Sequence, residues 1–230
     1  MENVAAVVAP HPDDAEIGMG GTIAALTAVR IKVVIIDLTD GEPTPHGSPE
    51  IRARETQEAS RILGVEHRVL LNIKNREVFD TVDNRKVLAT VLREHKPSII
   101  FLPYWEDAHP DHVQACALGE AARFYAKFVK TDLTFEPHYP RKVFHYFCSH
   151  LRPKAQPSFV FDISNYIEVK LKSVAAYRSQ FIENDKNRWV LDLIRAENAH
   201  WGGEIQVSYG EPFICREHIG LRSVESLINA

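Results

Sequence analysis

The run Val4-Ala5-Ala6-Val7-Val8-Ala9-Pro10-His11-Pro12-Asp13-Asp14-Ala15-Glu16 decides the fold. Its unbroken apolar start suits a strand buried on both faces, as parallel strands are. One imidazole and two adjacent carboxylates follow at once, and Gly18-Met19-Gly20-Gly21-Thr22 then opens a helical pattern that reaches Arg30. A strand that turns through polar residues into a helix is the first half of a βαβ unit.

Working outward, the same alternation repeats. Residues 32–38 form a β-branched strand bounded by Thr39-Asp40-Gly41. Residues 43–49 hold Pro43, Pro45, Pro49 and Gly47, which no regular element accepts, so they read as a loop over the turn. Residues 50–63 are helical and stop at Gly64, which suits a left-handed cap. A strand at 69–73, a helix at 84–95 closed by Pro97, a strand at 98–102 and an amphipathic helix at 111–128 continue the series. After a loop at 131–140, strands are expected at 142–148 and 159–163, and helices at 166–181 and 187–200.

This pattern predicts an α/β fold: a mostly parallel, doubly wound sheet of 3-2-1-4-5 order flanked by helices. Nothing resembles a linker, so 1–230 is one domain, with 1–130 as its core and 131–230 completing the pocket. The order has a chemical consequence. His11 follows the first strand, and a second cluster, His109-Pro110-Asp111-His112, follows the fourth. Those strands are neighbours at the switch point, where open sheets bind ligands beyond their carboxyl ends.

Composition excludes several classes. A net charge of -4 gives no basic footprint for nucleic acid. The apolar runs are too short to span a bilayer, and Met1-Glu2-Asn3 lacks the basic start of a signal peptide. Cys116, Cys148 and Cys215 are scattered and odd in number, which fits free thiols in the cytoplasm.

The two clusters together suit a mononuclear metal site doing hydrolysis. His11, Asp14 and His112 supply two nitrogens and one oxygen, a set for one Zn2+ per chain, with Fe2+, Mn2+ or Co2+ able to substitute. Zinc brings the pKa of its water down to about 7. Asp13, beside ligand Asp14, is the candidate base for the water's proton. His109 is the candidate donor to the developing oxyanion, with Asp111 orienting its ring. The plainer reading makes Asp13 and Asp111 helix N-caps. Caps do not require flanking histidines, and two His-Pro-Asp clusters at converging strand ends favour the metal. Gly18-Met19-Gly20-Gly21, with Asp37 ending the second strand, also invites a metal-free dinucleotide reading. The third glycine of G-x-G-x-x-G would fall at Ile23, and carboxylates in the turn would repel a pyrophosphate. Those glycines read better as close packing of helix on sheet. A metal phosphoesterase would need more ligands than the clusters offer. No G-x-S-x-G, H-E-x-x-H or phosphate-binding G-x-x-x-x-G-K-[ST] occurs.

Pro-His-Pro-Asp-Asp-Ala-Glu-Ile-Gly and His-Pro-Asp-His, with Leu38-Thr39-Asp40-Gly41-Glu42, Arg52, Glu55, Leu63-Gly64, Ser179-Gln180-Phe181 and Tyr209-Gly210-Glu211-Pro212-Phe213, resemble the LmbE/PIG-L family of metal-dependent N-acetylglucosamine deacetylases. The resemblance spans nearly the whole chain. It implies a Rossmann-like fold, zinc on His11, Asp14 and His112, Asp13 as base, and His109 assisted by Asp111. The lead-in Pro103-Tyr104-Trp105-Glu106-Asp107 is similar to the bacillithiol-pathway members, which deacetylate N-acetylglucosaminyl malate. It implies a small acetylated amino-sugar substrate and a homo-oligomer, often a hexamer in this subgroup. Other acetylated sugars, such as N-acetylglucosamine or its oligomers, are the alternative. Arg52 matches an arginine that holds the acidic aglycone, a role its fork suits; the plainer reading is a surface arginine paired with Glu55 or Glu58. Mycothiol-pathway relatives carry a tyrosine where this chain has Asp107, which counts against their substrates. A catalytically silent, partner-binding relative is the remaining rival, against which the intact set of five site residues argues.

Overall fold

The computed structural model describes residues 3–148, 150 and 155–220. Met1, Glu2 and the end of the C-terminal region, 221–230, lie outside them. In chain order the elements are β1 (Val4–Ala9), α1 (Asp14–Ala28), β2 (Lys32–Asp37), α2 (Pro49–Leu63), β3 (His67–Leu70), α3 (Val82–His95) and β4 (Ile99–Pro103). There follow α4 (Pro110–Tyr125), β5 (Lys142–Tyr146), β6 (Phe159–Asp162), α5 (Ile167–Ala175), α6 (Arg178–Phe181), α7 (Val190–Glu204) and β7 (Gly210–Ile214).

All strands join one sheet of order β3-β2-β1-β4-β5-β7-β6. The first five are parallel and match the predicted order, with β1 between β2 and β4. Every β1 residue is buried, which explains the continuous apolar run. One face of the sheet packs its side chains against α3 and α4 through Leu88, Leu92, Leu118 and Ala122. The other packs against α1, with Met19 and Ile23 in that core. Gly18 permits this approach, since a Cβ there would stand 2.3 Å from the Tyr146 ring. Close packing is therefore what the glycines of this segment provide. Among the described residues no helix is long and apolar enough to cross a membrane.

Three expectations need correction. Gly210–Ile214 form an unforeseen strand, β7, which runs antiparallel to β5 and β6 and separates them. The helix expected over 166–181 breaks after α5, where Tyr177 takes φ -78°, ψ 64°, and resumes as the short α6. The helix expected from Gly18 starts earlier, at Asp14, and kinks at Met19 (φ -149°, ψ 26°).

Candidate functional site

The turn after β1 is built to hold Asp13 and Asp14 rigidly. Thr39, just past β2, donates its hydroxyl and its N–H to the Pro10 carbonyl at 3.0 and 3.2 Å. Behind the turn, Glu16 accepts from Arg68 at 2.5 Å and from the Tyr177 hydroxyl at 3.0 Å. Arg68 also grips Asp37 through two hydrogen bonds of 2.6 and 2.9 Å. Asp37 is thus buried and committed to Arg68, so the acid expected of a ribose site is not available.

Asp13 sits at φ 105°, ψ -27°, a left-handed backbone rare for any residue but glycine, and its side chain caps nothing. The plain N-cap reading of Asp13 therefore fails. Its carboxylate instead accepts from Arg52 at 3.0 Å. Burial pushes its pKa up to about 7, against the pull of Arg52.

His11, Asp14 and His112 converge. Asp14 Oδ2 lies 3.1 Å from His11 Nδ1 and 3.2 Å from His112 Nε2. Donors sharing one tetrahedral ion at about 2.0–2.1 Å stand roughly 3.3 Å apart, so the set fits zinc. Burial opposes the ionisation of Asp14, yet His112 and His11 hold its carboxyl well below the usual range. Burial opposes protonation of His11 too, but Asp111 and Asp14 carry its pKa up to about 9. Carboxylates that raise imidazole basicity in this way equally favour a divalent cation in the protons' place.

The second cluster opens α4. His109, not Asp111, is its N-cap: the ring Nδ1 accepts from the Asp111 backbone N–H at 3.2 Å. The expected ring-orienting contact is therefore made by the Asp111 backbone. Its carboxylate goes elsewhere, standing 3.2 Å from His11 Nε2 and accepting from the Arg76 N–H at 2.8 Å. Burial and the neighbouring imidazoles lower the His109 pKa. The ring is then neutral at pH 7, with its proton on Nε2.

Arg52 is only 4 % exposed, so the surface reading is wrong as well. Besides Asp13 it faces Glu42 at 3.7 Å, while Glu55 accepts instead from the Ser179 N–H and hydroxyl at 2.6 and 2.9 Å. That contact joins two of the resemblance segments, Glu55 and Ser179-Gln180-Phe181, and ties α2 to α6. Gln180 then donates to the His46 carbonyl at 2.6 Å, fastening the proline-rich loop beside the site.

His11, Asp13, Asp14, Arg52, His109 and His112 all line one cavity of about 350 Å3, within the range of small-molecule sites. Larger concavities of about 860 and 700 Å3 hold none of the motif imidazoles and carry no comparable chemistry. Sequence reasoning missed other lining residues. His150 is exposed at the cavity, with its ring 5.6 Å from that of His112. Trp189 is 55 % exposed at the cavity. Asp107 stood out only as a departure from relatives. Its side chain is fully buried and 3.2 Å from His112 Nδ1. An acid two residues before His-Pro was its one visible signal.

The family model described as PIG-L, GlcNAc-PI de-N-acetylase, matches residues 6–123, which carry both motifs. The chain belongs to the PIG-L (LmbE) deacetylase family. It is 36 % identical over 199 residues to a diacetylchitobiose deacetylase of Thermococcus kodakarensis, covering 79 % of this chain and 72 % of that one. It is 29 % identical over 192 residues to a probable N-acetyl-alpha-D-glucosaminyl L-malate deacetylase 2 of Bacillus anthracis, covering 76 % and 80 %. The crystal structure of a conserved protein of Thermus thermophilus superposes with a TM-score of 0.88 at 39 % identity, covering 96 % of this chain and 98 % of that one. As a PIG-L deacetylase, the chain is an enzyme of N-acetylated sugar conjugates, and His11, Asp14 and His112, from its two motifs, form one of the groups that could hold a metal ion.

Proposed function

We propose that this chain is a zinc-dependent N-deacetylase that hydrolyses the acetamide of an N-acetylglucosamine conjugate to acetate and a free amine. The observation that carries this reading is the meeting of His11 and His112 on one Asp14 oxygen, at 3.1 and 3.2 Å, in the cavity that Asp13 also lines. Bound there, Zn2+ supplies a Lewis acid and a water that ionises near pH 7. Asp13 takes the proton of the attacking water and passes it to the leaving nitrogen. Arg52 keeps that carboxylate ionised and aimed. His109, its Nδ1 occupied by the Asp111 N–H, presents Nε2–H to the oxyanion.

For the aglycone we propose malate, which would place the enzyme in bacillithiol biosynthesis. The 29 % relative named for that substrate supports this, as do Arg52 and Arg76 on the cavity wall. With its guanidinium on Asp13 and near Glu42, Arg52 serves the base first and reaches a substrate carboxylate only as a shared cation. A second reading, a neutral acetylated sugar in the malate position, is favoured by the exposed Trp189 indole and by the 36 % relative named for diacetylchitobiose. Fluorescent detection of amine released from N-acetylglucosaminyl malate and from N,N'-diacetylchitobiose by zinc-loaded protein separates them. Faster release from the malate conjugate supports the first reading. Release confined to diacetylchitobiose moves the substrate and keeps the chemistry, while release from neither, nor from plain N-acetylglucosamine, contradicts both. We further propose a cytoplasmic homo-oligomer, whose mass in solution would be a multiple of 26.1 kDa.

A further inference from the structure

Asp107 lies in the loop between β4 and α4, with its side chain sealed from solvent. Its two oxygens face different neighbours. Oδ1 accepts from the His109 backbone N–H at 2.7 Å. Oδ2 stands 3.2 Å from His112 Nδ1 as a close ion-pair contact, and neither of these two buried atoms has a hydrogen-bond partner among the described residues. The Cys148 thiol completes this buried group, within 4.8 Å of both. The thiol is buried as well, and Asp107 is the one carboxylate of the three. On the far side of the same ring, Nε2 faces Asp14 at 3.2 Å.

A neutral imidazole carries one ring proton, and an ionised carboxylate only accepts. A carboxylate opposite Nδ1 therefore draws the proton to Nδ1 and leaves the Nε2 lone pair towards Asp14. Ligand imidazoles commonly depend on such a partner for tautomer and orientation. His11 is held in the same manner from the opposite wall, with Nδ1 towards Asp14 and Nε2 towards Asp111.

We propose that Asp107 is a positioning residue for the metal: it fixes His112 as the Nδ1–H tautomer and keeps Nε2 free as the ligand atom. This rests on the reading of His112 as a ligand.

Asp107→Asn separates positioning from simple structure. The amide oxygen still accepts from the His109 N–H, so the turn is kept. The amide NH2 now faces Nδ1, and two donors cannot pair. The ring answers by moving its proton to Nε2, where the metal must bind. Competition with a chromogenic chelator measures Zn2+ affinity in wild-type and variant protein side by side. The expected result is a loss of about 10–100-fold in the variant, with the melting temperature of the metal-free protein unchanged. Wild-type affinity in Asp107→Asn would overturn the proposal while leaving the metal site standing. A wild-type protein that takes up no Zn2+ would overturn the metal site itself, and the proposal with it. Should the variant not fold, the long-range 1H–15N imidazole spectrum of zinc-loaded wild-type protein decides. A proton on Nδ1 of His112 supports the assignment, and one on Nε2 refutes it.

Discussion

Asp13 is held in a backbone conformation that costs a non-glycine residue about 1–3 kcal/mol, at φ 105° and beside a buried cation. Such strain persists only where the surroundings impose it, and here Arg52, Glu16 and Arg68 do so. Two consequences can be measured. Asp13→Ala should keep its metal and lose about 10²–10⁴ in rate, whereas His112→Ala should lose the metal; metal analysis beside acetate release reads both. Full activity in Asp13→Ala would remove Asp13 as the base. The second concerns pH. Burial raises the Asp13 pKa to about 7, and Arg52 opposes it. Without the cation, burial is unopposed and Asp13 keeps its proton to higher pH. Because the base works deprotonated, the acid limb of kcat/KM in Arg52→Met should move to higher pH, by about 1–3 units. A limb that stays in place, with KM alone rising, would make Arg52 a substrate clamp and not a partner of the base.

The elements that carry this turn depend on a contact that local pattern hides. The kink at Met19 frees the N–H groups of Gly21 and Thr22, and Glu211 of β7 accepts them at 2.9 and 2.6 Å. Lys170 of α5 pairs with the same carboxylate at 2.6 Å, in full burial. Removing one partner of a buried pair strands the other charge, so Glu211→Ala should lose about 3–5 kcal/mol, read from denaturant midpoints. Glu211→Gln, which still accepts from α1, should lose less. A Glu211→Ala midpoint equal to wild type would show that the helix and strand do not depend on this pair. The Tyr209-Gly210-Glu211-Pro212-Phe213 segment therefore joins α1 to the sheet. Its strand was illegible because Gly210, Glu211 and Pro212 are poor strand formers. Pro212 is tolerated since β5 pairs only with Phe213 and Ile214, so the missing N–H falls outside that ladder. By contrast β1, β2 and β4 were legible as apolar runs because both their faces are buried. The break at Tyr177 was also invisible, since it serves a distant partner: the Tyr177 hydroxyl reaches Glu16, and its ring lies 5.7 Å from the Arg52 guanidinium.

At the scale of the molecule, the neighbouring positions of β1 and β4 bring the two motifs together. His11, Asp14 and His112 were legible because that adjacency follows from strand order alone. The partners of Arg52, the carboxylate of Asp111 and the burial of Asp107 were not, since each depends on which rotamer the packed site leaves open. A metal bound only by the folded chain adds stability by mass action. Free zinc at 100 times its Kd contributes about 2.7 kcal/mol, which at this size is several degrees of melting temperature. Chelator treatment should lower the wild-type melting temperature by that amount and leave His112→Ala unchanged. A wild-type protein that melts alike with and without chelator would argue against a site of useful affinity. The most direct test of the central claim is to titrate Zn2+ into chelator-stripped protein while recording acetate release from an N-acetylglucosamine conjugate. Activity should rise from near zero and level off at one equivalent per chain. Full activity in the stripped protein, or a rise that continues to two equivalents, would contradict a single catalytic metal on His11, Asp14 and His112.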